Sequence, residues 1–148
     1  MKSTVASLLT QQAQCVLATV RGQQPALHLM AYAFSSDLCE IYLVSKQDTQ
    51  KVKNMRDSPN VTCLWDNRTG NNSDHTEGFA MSGFGKAREL TGDTARSVAS
   101  VLLQRNATLM PLIADPGAII IAIRIDRYQW VEGYIRAMSY QPEKAFSQ

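Results

Sequence analysis

Basic and hydroxyl side chains are concentrated in one short stretch of the chain. The basic residues are Lys46, Lys51, Lys53 and Arg56, and the hydroxyl residues are Ser45 and Thr49. Asp48 or Thr49 can cap a short helix that starts here, and the amides at a helix N-terminus favour negative charge. Ammonium groups, hydroxyls and helix amides together predict an anion site, for which phosphate is the obvious ligand. The alternative interpretation is a basic helix face in water.

A second polar group lies where Trp65 and Asp66 are followed by Asn67 and Arg68. The Arg68 guanidinium can bind two phosphate oxygens, and the Asn67 amide can donate and accept hydrogen bonds at the edge of a planar ring. The alternative is a turn after an edge strand, in which the short polar residues are turn formers. The residue types alone favour neither interpretation.

An aromatic segment near the end of the chain is the third candidate. Tyr128, Trp130, Glu132 and Tyr134 share one face if this segment is a strand. Half-buried aromatic side chains could stack on a planar ligand or form a subunit interface. Packing in the core is the default interpretation for each of them.

Several other kinds of site are excluded by the motifs and residue types. The sequence has no phosphate-binding loop, dinucleotide-binding glycine motif, nucleophile elbow or zinc-protease motif. His28 and His75 are its only histidines, and His75 lies in a polar loop where solvation explains it better than general-base catalysis. Cys15, Cys39 and Cys63 form no close pair, so we expect buried thiols, no metal site and a reducing cytoplasmic location.

Length, net charge and hydrophobic stretches limit the domain count and the kinds of partner that we expect. The chain has 148 residues, which predicts a single domain over residues 1–148. The formal net charge of +2 is too small to indicate nucleic-acid binding. The longest apolar stretch, residues 118–123, is far shorter than the roughly 20 residues that cross a membrane, and no signal peptide is expected.

The elements that must position these groups follow from the hydrophobic pattern. We expect helices at residues 3–13, from 48 or 49 to 56, and from 91 or 93 to 105, with Ser3 as the first cap. We expect strands at residues 15–20, 25–34, 39–45, 61–65, 79–90, 118–124 and 128–135, with Gly83 and Gly85 as bend or bulge points. Residues 66–77 are expected to form a polar loop and residues 106–117 to be irregular. Closely spaced antiparallel strands with inserted helices favour a mainly β fold, a small barrel, over a doubly wound parallel sheet.

Several segments also resemble a known family in their order and spacing. They are residues 16–20, 25–28 with the strand that follows, 41–45, 49–55, 58–61 and 78–87. Together they resemble the flavin-binding split β-barrels similar to pyridoxamine 5′-phosphate oxidase, over roughly residues 10–135. The resemblance implies a homodimer with two FMN sites at the subunit interface.

The resemblance implies which residues approach the flavin ring. The residues on the strand beside the isoalloxazine would be His28, Leu29, Met30 and Ala31. Ser45 and Lys46, which end the third predicted strand, would lie near the ring edge and the ribityl chain.

The resemblance implies further contacts at the two ends of the cofactor. Thr49 and Lys51 would hold the phosphate. Asn67 and Arg68 match the polar end of the fourth strand, which also approaches the cofactor in the family. Trp130 resembles the C-terminal aromatic residue that reaches the flavin from the partner subunit.

We therefore expect an FMN-dependent oxidoreductase that acts on a small-molecule substrate or electron donor. In such a site the flavin carries the electrons and the protein supplies position and electrostatics. Only Arg136 and Lys144 are basic after residue 134, which argues against the vitamin B6 substrate of the longer oxidases. The alternatives are a non-catalytic flavin carrier or electron-transfer module, and a barrel that binds haem or the deazaflavin F420.

Overall fold

The computed structural model describes residues 1–132 and 135–144. The helices are α1 (Lys2–Gln11), α2 (Gln50–Asp57), α3 (Asp74–Glu77), α4 (Gly92–Arg105) and α5 (Met110–Ile113), with a 3₁₀ turn at Ala107–Leu109. The strands are β1 (Gln14–Arg21), β2 (Gln24–Ala31), β3 (Ala33–Phe34), β4 (Glu40–Lys46), β5 (Asn60–Asp66), β6 (Phe79–Leu90), β7 (Ala118–Glu132) and β8 (Arg136–Tyr140).

The strands form one curled sheet in the order β2-β1-β5-β6-β7-β4-β3, with β8 paired to β7. Neighbouring strands are antiparallel throughout this order. A tight turn joins β1 to β2 at Gly22, whose φ of 59° lies in the left-handed region that glycine adopts without strain. The antiparallel sheet with inserted helices confirms the predicted split β-barrel.

Alternating apolar residues give the sheet a buried inner face. On β1 the inward residues are Cys15, Leu17 and Thr19, and on β5 they include Cys63 and Trp65. They belong to one large hydrophobic cluster, apart from Thr19, which is a buried polar residue. All three cysteines are buried and free, as the sequence predicts.

Two helices attach to this sheet through apolar stripes. Helix α2 buries Val52 and Met55 in the main cluster. Helix α4 buries Val98 and Leu102 in a second cluster, which it shares with β4 and β7. Helix α2 therefore lies directly over the inner face of the sheet, and this position sets where its N-terminal residues lie.

The expected break between two C-terminal strands is wrong. Residues 118–132 form one strand, β7, and the separate strand β8 begins only at Arg136. The polar residues that suggested a break mark a bulge instead, because Gly85 pairs with Ile125 whereas Phe84 pairs with Arg127. The extra residue, Asp126, lets two consecutive polar side chains face solvent while the strand continues.

Smaller differences occur at the ends of elements. Helix α1 begins after Met1 and has no side-chain cap, so the expected Ser3 cap is wrong. The predicted strand over residues 25–34 is interrupted at Tyr32, whose hydroxyl donates to the carbonyl of Leu9 at 2.6 Å. The short helices α3 and α5 lie in segments expected to be loop or irregular. Tyr134 lies outside the described residues.

Candidate functional site

A groove of about 300 Å³ lies between the end of β2, the end of β4 and the start of α2. It collects candidate residues from three separate parts of the sequence, namely Leu29, Met30, Ala31, Ser45, Lys46, Thr49 and Lys51. It is also lined by Val44, Leu109 and Leu112. Apart from His28, the residues predicted along the flavin ring and at its phosphate thus share one surface.

The polar end of the groove is built by the turn from β4 into α2. Thr49 is the N-cap residue of α2, with extended backbone angles and no side-chain cap hydrogen bond. Its hydroxyl lies 3.1 Å from the Ser45 hydroxyl and donates to the Lys46 carbonyl at 3.0 Å. Because no side chain caps the first turn of α2, its amide groups can receive an anion there.

The two lysines of the groove have different surroundings. The Lys46 ammonium lies 3.3 Å from the Asp115 carboxylate. A backbone hydrogen bond from Gly117, and after it Lys46, holds the pKa of Asp115 below its usual value. Among the described residues Lys51 has no recorded ion pair, so it is the groove cation whose charge is not already matched.

The opposite side of the groove is apolar. Leu29 projects from β2 with 66% of its surface exposed, and Leu109 and Leu112 approach from the segment around α5. Neither of these two leucines is among the predicted site residues, because residues 106–117 are expected to be irregular. Their spacing of three residues, typical of one face of a helical turn, was the available signal.

His28 is close to the groove but faces inward from β2. Its Nε2 atom lies 2.9 Å from the hydroxyl of Thr19 on β1. That hydroxyl accepts a hydrogen bond from the Asn54 amide of α2 at 2.9 Å, and Asn54 accepts one from Gln50 at 2.8 Å. Burial and, secondarily, the Lys51 charge lower the pKa of His28. Thr19 and Asn54 are not among the predicted site residues, because no sequence motif contains them.

Asn67 and Arg68 lie in a different depression of about 290 Å³, beside β5 and β6. Asn67 Oδ1 accepts a 2.6 Å hydrogen bond from the Phe79 amide, and Arg68 Nε lies 3.0 Å from Asp66 Oδ1. The loop that follows is held by Asp74, which accepts hydrogen bonds from the amides of residues 69 and 70. Within one chain, this pair is therefore not part of the groove.

Trp130 lies in the hydrophobic core rather than at the groove. Its side chain is 1% exposed and packs in the main cluster. Among the described residues, its indole nitrogen has no hydrogen-bond partner. An indole in this position cannot also contact a ligand of another subunit, so we leave Trp130 out of the proposed site.

The outer face of the sheet next to the groove is apolar. Leu27 is 70% exposed and pairs across the strands with Ala18, while Leu29 pairs with Val16. Val16 in turn pairs with Leu64 of β5, so the apolar surface continues over three strands. Exposed apolar patches of this kind mark interaction sites.

The described residues contain no group of three or more histidine, cysteine or acidic side chains that could hold a metal ion. None of their helices is long and apolar enough to cross a membrane.

Comparison with known families decides the classification. The family described as pyridoxamine 5′-phosphate oxidase matches residues 1–129. The chain belongs to this family. No curated protein is detectably similar to it in sequence.

Solved structures share its fold at low sequence identity. A haem-binding protein from Mycobacterium smegmatis has a TM-score of 0.79 and 17% identity, over 90% of this chain and 55% of that one. Campylobacter jejuni ChuZ has a TM-score of 0.80 and 9% identity, over 94% of this chain and 58% of that one. A NimC/NimA family protein from Clostridium acetobutylicum has a TM-score of 0.70 and 17% identity, over 94% and 90%. The chain thus spans little more than half the length of the first two, and these similarities establish the fold.

Proposed function

We propose that the chain binds FMN in the groove and acts as an FMN-dependent oxidoreductase. One observation carries the proposal: a single groove joins an anion-binding end, formed by Ser45, Thr49 and Lys51, to an apolar wall. FMN has a phosphate at one end and a largely apolar ring system at the other. Membership of the pyridoxamine 5′-phosphate oxidase family supports the same ligand.

In this proposal each part of the groove has a distinct role. Lys51 and the first-turn amides of α2 neutralise the phosphate, while the hydroxyls of Ser45 and Thr49 orient it. Leu29, Leu109 and the β2 backbone beside them lie along the ring system and exclude water from it. When bound, FMN supplies the capacity to accept a hydride and pass its electrons on.

The chain itself supplies position rather than proton transfer. The side chains that line the groove in the described residues include two titratable groups, the ammonium groups of Lys46 and Lys51. An ammonium group donates hydrogen bonds and has no acceptor, so neither side chain offers a site for a transferred proton. A proton that accompanies electron transfer would therefore be exchanged with the substrate or with solvent.

The proposed site is completed by a second copy of the chain. The groove, at about 300 Å³, is at the lower end of the range for small-molecule sites, about 300–1,000 Å³. The apolar sheet face around Leu27 adjoins it and fits a symmetric partner. Asn67 and Arg68, which do not reach the groove of their own chain, would then approach the groove of the other subunit.

Binding of FMN and the role of Lys51 can be tested together. Purified protein should be yellow and release FMN on denaturation, or bind added FMN. Lys51→Ala should weaken FMN binding at least about ten-fold, the loss expected for a charge-assisted contact. Lys53→Ala, on the same helix but outside the groove, is the matched control and should leave affinity within about two-fold. Colourless protein that also fails to bind added FMN would refute the proposal.

Catalysis is separated from electron carriage by anaerobic reduction. An oxidoreductase should bleach its bound FMN with a reduced nicotinamide and turn over when an acceptor is added. A flavin carrier would bind FMN equally well and show no turnover with reduced nicotinamides. Titration of the protein with F420 in place of FMN shows whether the apolar wall of the groove distinguishes the deazaflavin from FMN.

Haem is the second candidate, favoured by the structural similarity to a haem-binding protein. An axial histidine would have to be His28 or His75. Ligation through Nε2 of His28 would break its hydrogen bond to Thr19. A Soret band that appears on adding haemin and disappears in His28→Gln or His75→Gln, without FMN binding, would favour haem.

The reducing cytoplasmic location expected from the cysteines stays a prediction.

A further inference from the structure

Two buried polar side chains meet beneath helix α2. Thr19 is 0% exposed and Asn54 is 2% exposed, although they come from β1 and α2. Their contact is a 2.9 Å hydrogen bond, and the same Thr19 hydroxyl lies 2.9 Å from Nε2 of His28 on β2. Buried polar groups are costly unless they are hydrogen-bonded, so this contact needs a specific explanation.

The direction of each hydrogen bond follows from the orientation of the Gln50 and Asn54 amides. Gln50 donates from its Nε2 to Oδ1 of Asn54 at 2.8 Å, which leaves the Asn54 amide nitrogen to donate to Thr19. The Thr19 hydroxyl therefore accepts from Asn54 and has one proton to give. Among the described residues, the acceptor recorded for that proton is Nε2 of His28. His28 then carries its own proton on Nδ1.

Other protonation states of His28 fit this arrangement poorly. If Nε2 carried a proton, Thr19 would receive two hydrogen bonds and its own buried proton would have no recorded acceptor. Leaving a buried donor unsatisfied costs more than an average hydrogen bond contributes. The lowered pKa of His28, caused by burial and then by Lys51, disfavours the doubly protonated form for a separate reason.

We propose that Asn54 and Thr19 are positioning residues, which hold His28 in its Nδ1–H form and fix helix α2 against strand β2. The consequence concerns the groove, because Thr49 and Lys51 begin the same helix and Leu29 follows His28 on the same strand. The network therefore sets the spacing between the anion end and the apolar wall. This consequence rests on the proposed binding of FMN, whereas the protonation state of His28 does not.

The protonation state can be measured directly by ¹⁵N NMR of histidine-labelled protein without FMN. The chain has two histidines, so His75→Gln assigns both sets of signals. We expect His28 to be neutral above its pKa, with the proton on Nδ1 and a bare Nε2. Thr19→Ser, which keeps the hydroxyl, should give the same spectrum, and Thr19→Val should lose the preference for Nδ1–H. A wild-type His28 with its proton on Nε2 overturns the proposal without any variant.

The effect on the groove is measured by titration with FMN. Thr19→Val should weaken FMN binding about five-fold, and Thr19→Ser should stay within about two-fold of wild type. A Thr19→Val protein that is less stable but keeps both the His28 signals and the FMN affinity contradicts a positioning role. If wild-type protein binds no FMN, the proposed function fails, and the ligand-free NMR spectrum still decides the network.

Discussion

Replacing Leu27 by alanine should weaken self-association without touching the groove. Leu27 is 70% exposed in the isolated chain and lies on the apolar outer face, but it does not line the groove. Burial of a leucine side chain contributes about 2 kcal/mol, of which truncation to alanine removes about 1.5 kcal/mol at this exposure. A symmetric dimer uses the same patch twice, so the loss is about 3 kcal/mol, or a roughly 100-fold higher dissociation constant.

The assay is sedimentation or light scattering over a concentration series, with FMN affinity measured at the same concentrations. Val101→Ala is the matched control, since Val101 is also an exposed apolar residue but belongs to α4. FMN affinity of Leu27→Ala should fall only at concentrations where the dimer has dissociated. A wild-type chain that is monomeric at all concentrations yet binds FMN fully would refute the argument for a site between two subunits.

Three further substitutions test other parts of the structure. Gly85→Ala should destabilise the fold by about 1–3 kcal/mol, because an added Cβ would collide with the Arg124 carbonyl oxygen, and chemical denaturation measures the loss. Arg105→Met should lower the melting temperature by about 6–12 °C, because its guanidinium donates 2.6 Å hydrogen bonds to two carbonyls at the end of α1; an unchanged melting temperature would contradict this. Because the pKa of His28 is lower in the folded protein than in the unfolded chain, the unfolded chain binds a proton at a higher pH than the folded protein does. The free energy of unfolding should therefore fall as the pH drops below about 6.5 toward the folded pKa. Lys51→Met should bring the pKa of His28 only part of the way back to its usual value, because burial is the larger cause of the shift. NMR titration measures the pKa of His28 in the wild-type and variant proteins.

The sequence predicts the sheet well because its signals are local. Alternation of apolar residues identifies β1, β5 and β6, and the proline after Ser58 separates α2 from β5. The same local reasoning fails at β7, where Arg124 and Asp126 suggest a break. The bulge there lies opposite Gly85 of the neighbouring strand, which the sequence predicts as a bulge point, but the pattern along β7 alone does not contain that information.

The anion-binding end of the groove was predictable because its residues lie close together in the sequence and are of types that bind anions. Ser45, Thr49 and Lys51 are close in sequence, so their types alone suggest an anion site. Strand β2 contributes to the groove only because of the fold. It is separated from β4 by four strands in the sheet order, and the curl of the sheet brings the ends of β2 and β4 together. Family resemblance supplied that long-range information for Leu29. It supplied none for Leu109 and Leu112.

The buried network shows why the remaining residues escape detection. Asn54 and Thr19 are separated by 35 positions, and neither type is unusual in a helix or a strand. Their significance depends on burial, because the same hydrogen bonds at the surface would compete with water and fix nothing. Buried, each of them needs a hydrogen-bond partner within the protein, and through the Thr19 hydroxyl that requirement extends to His28. His28, which the family resemblance places beside the flavin ring, is thus in the fold the end of a chain of hydrogen bonds that starts on the helix beside the proposed phosphate site.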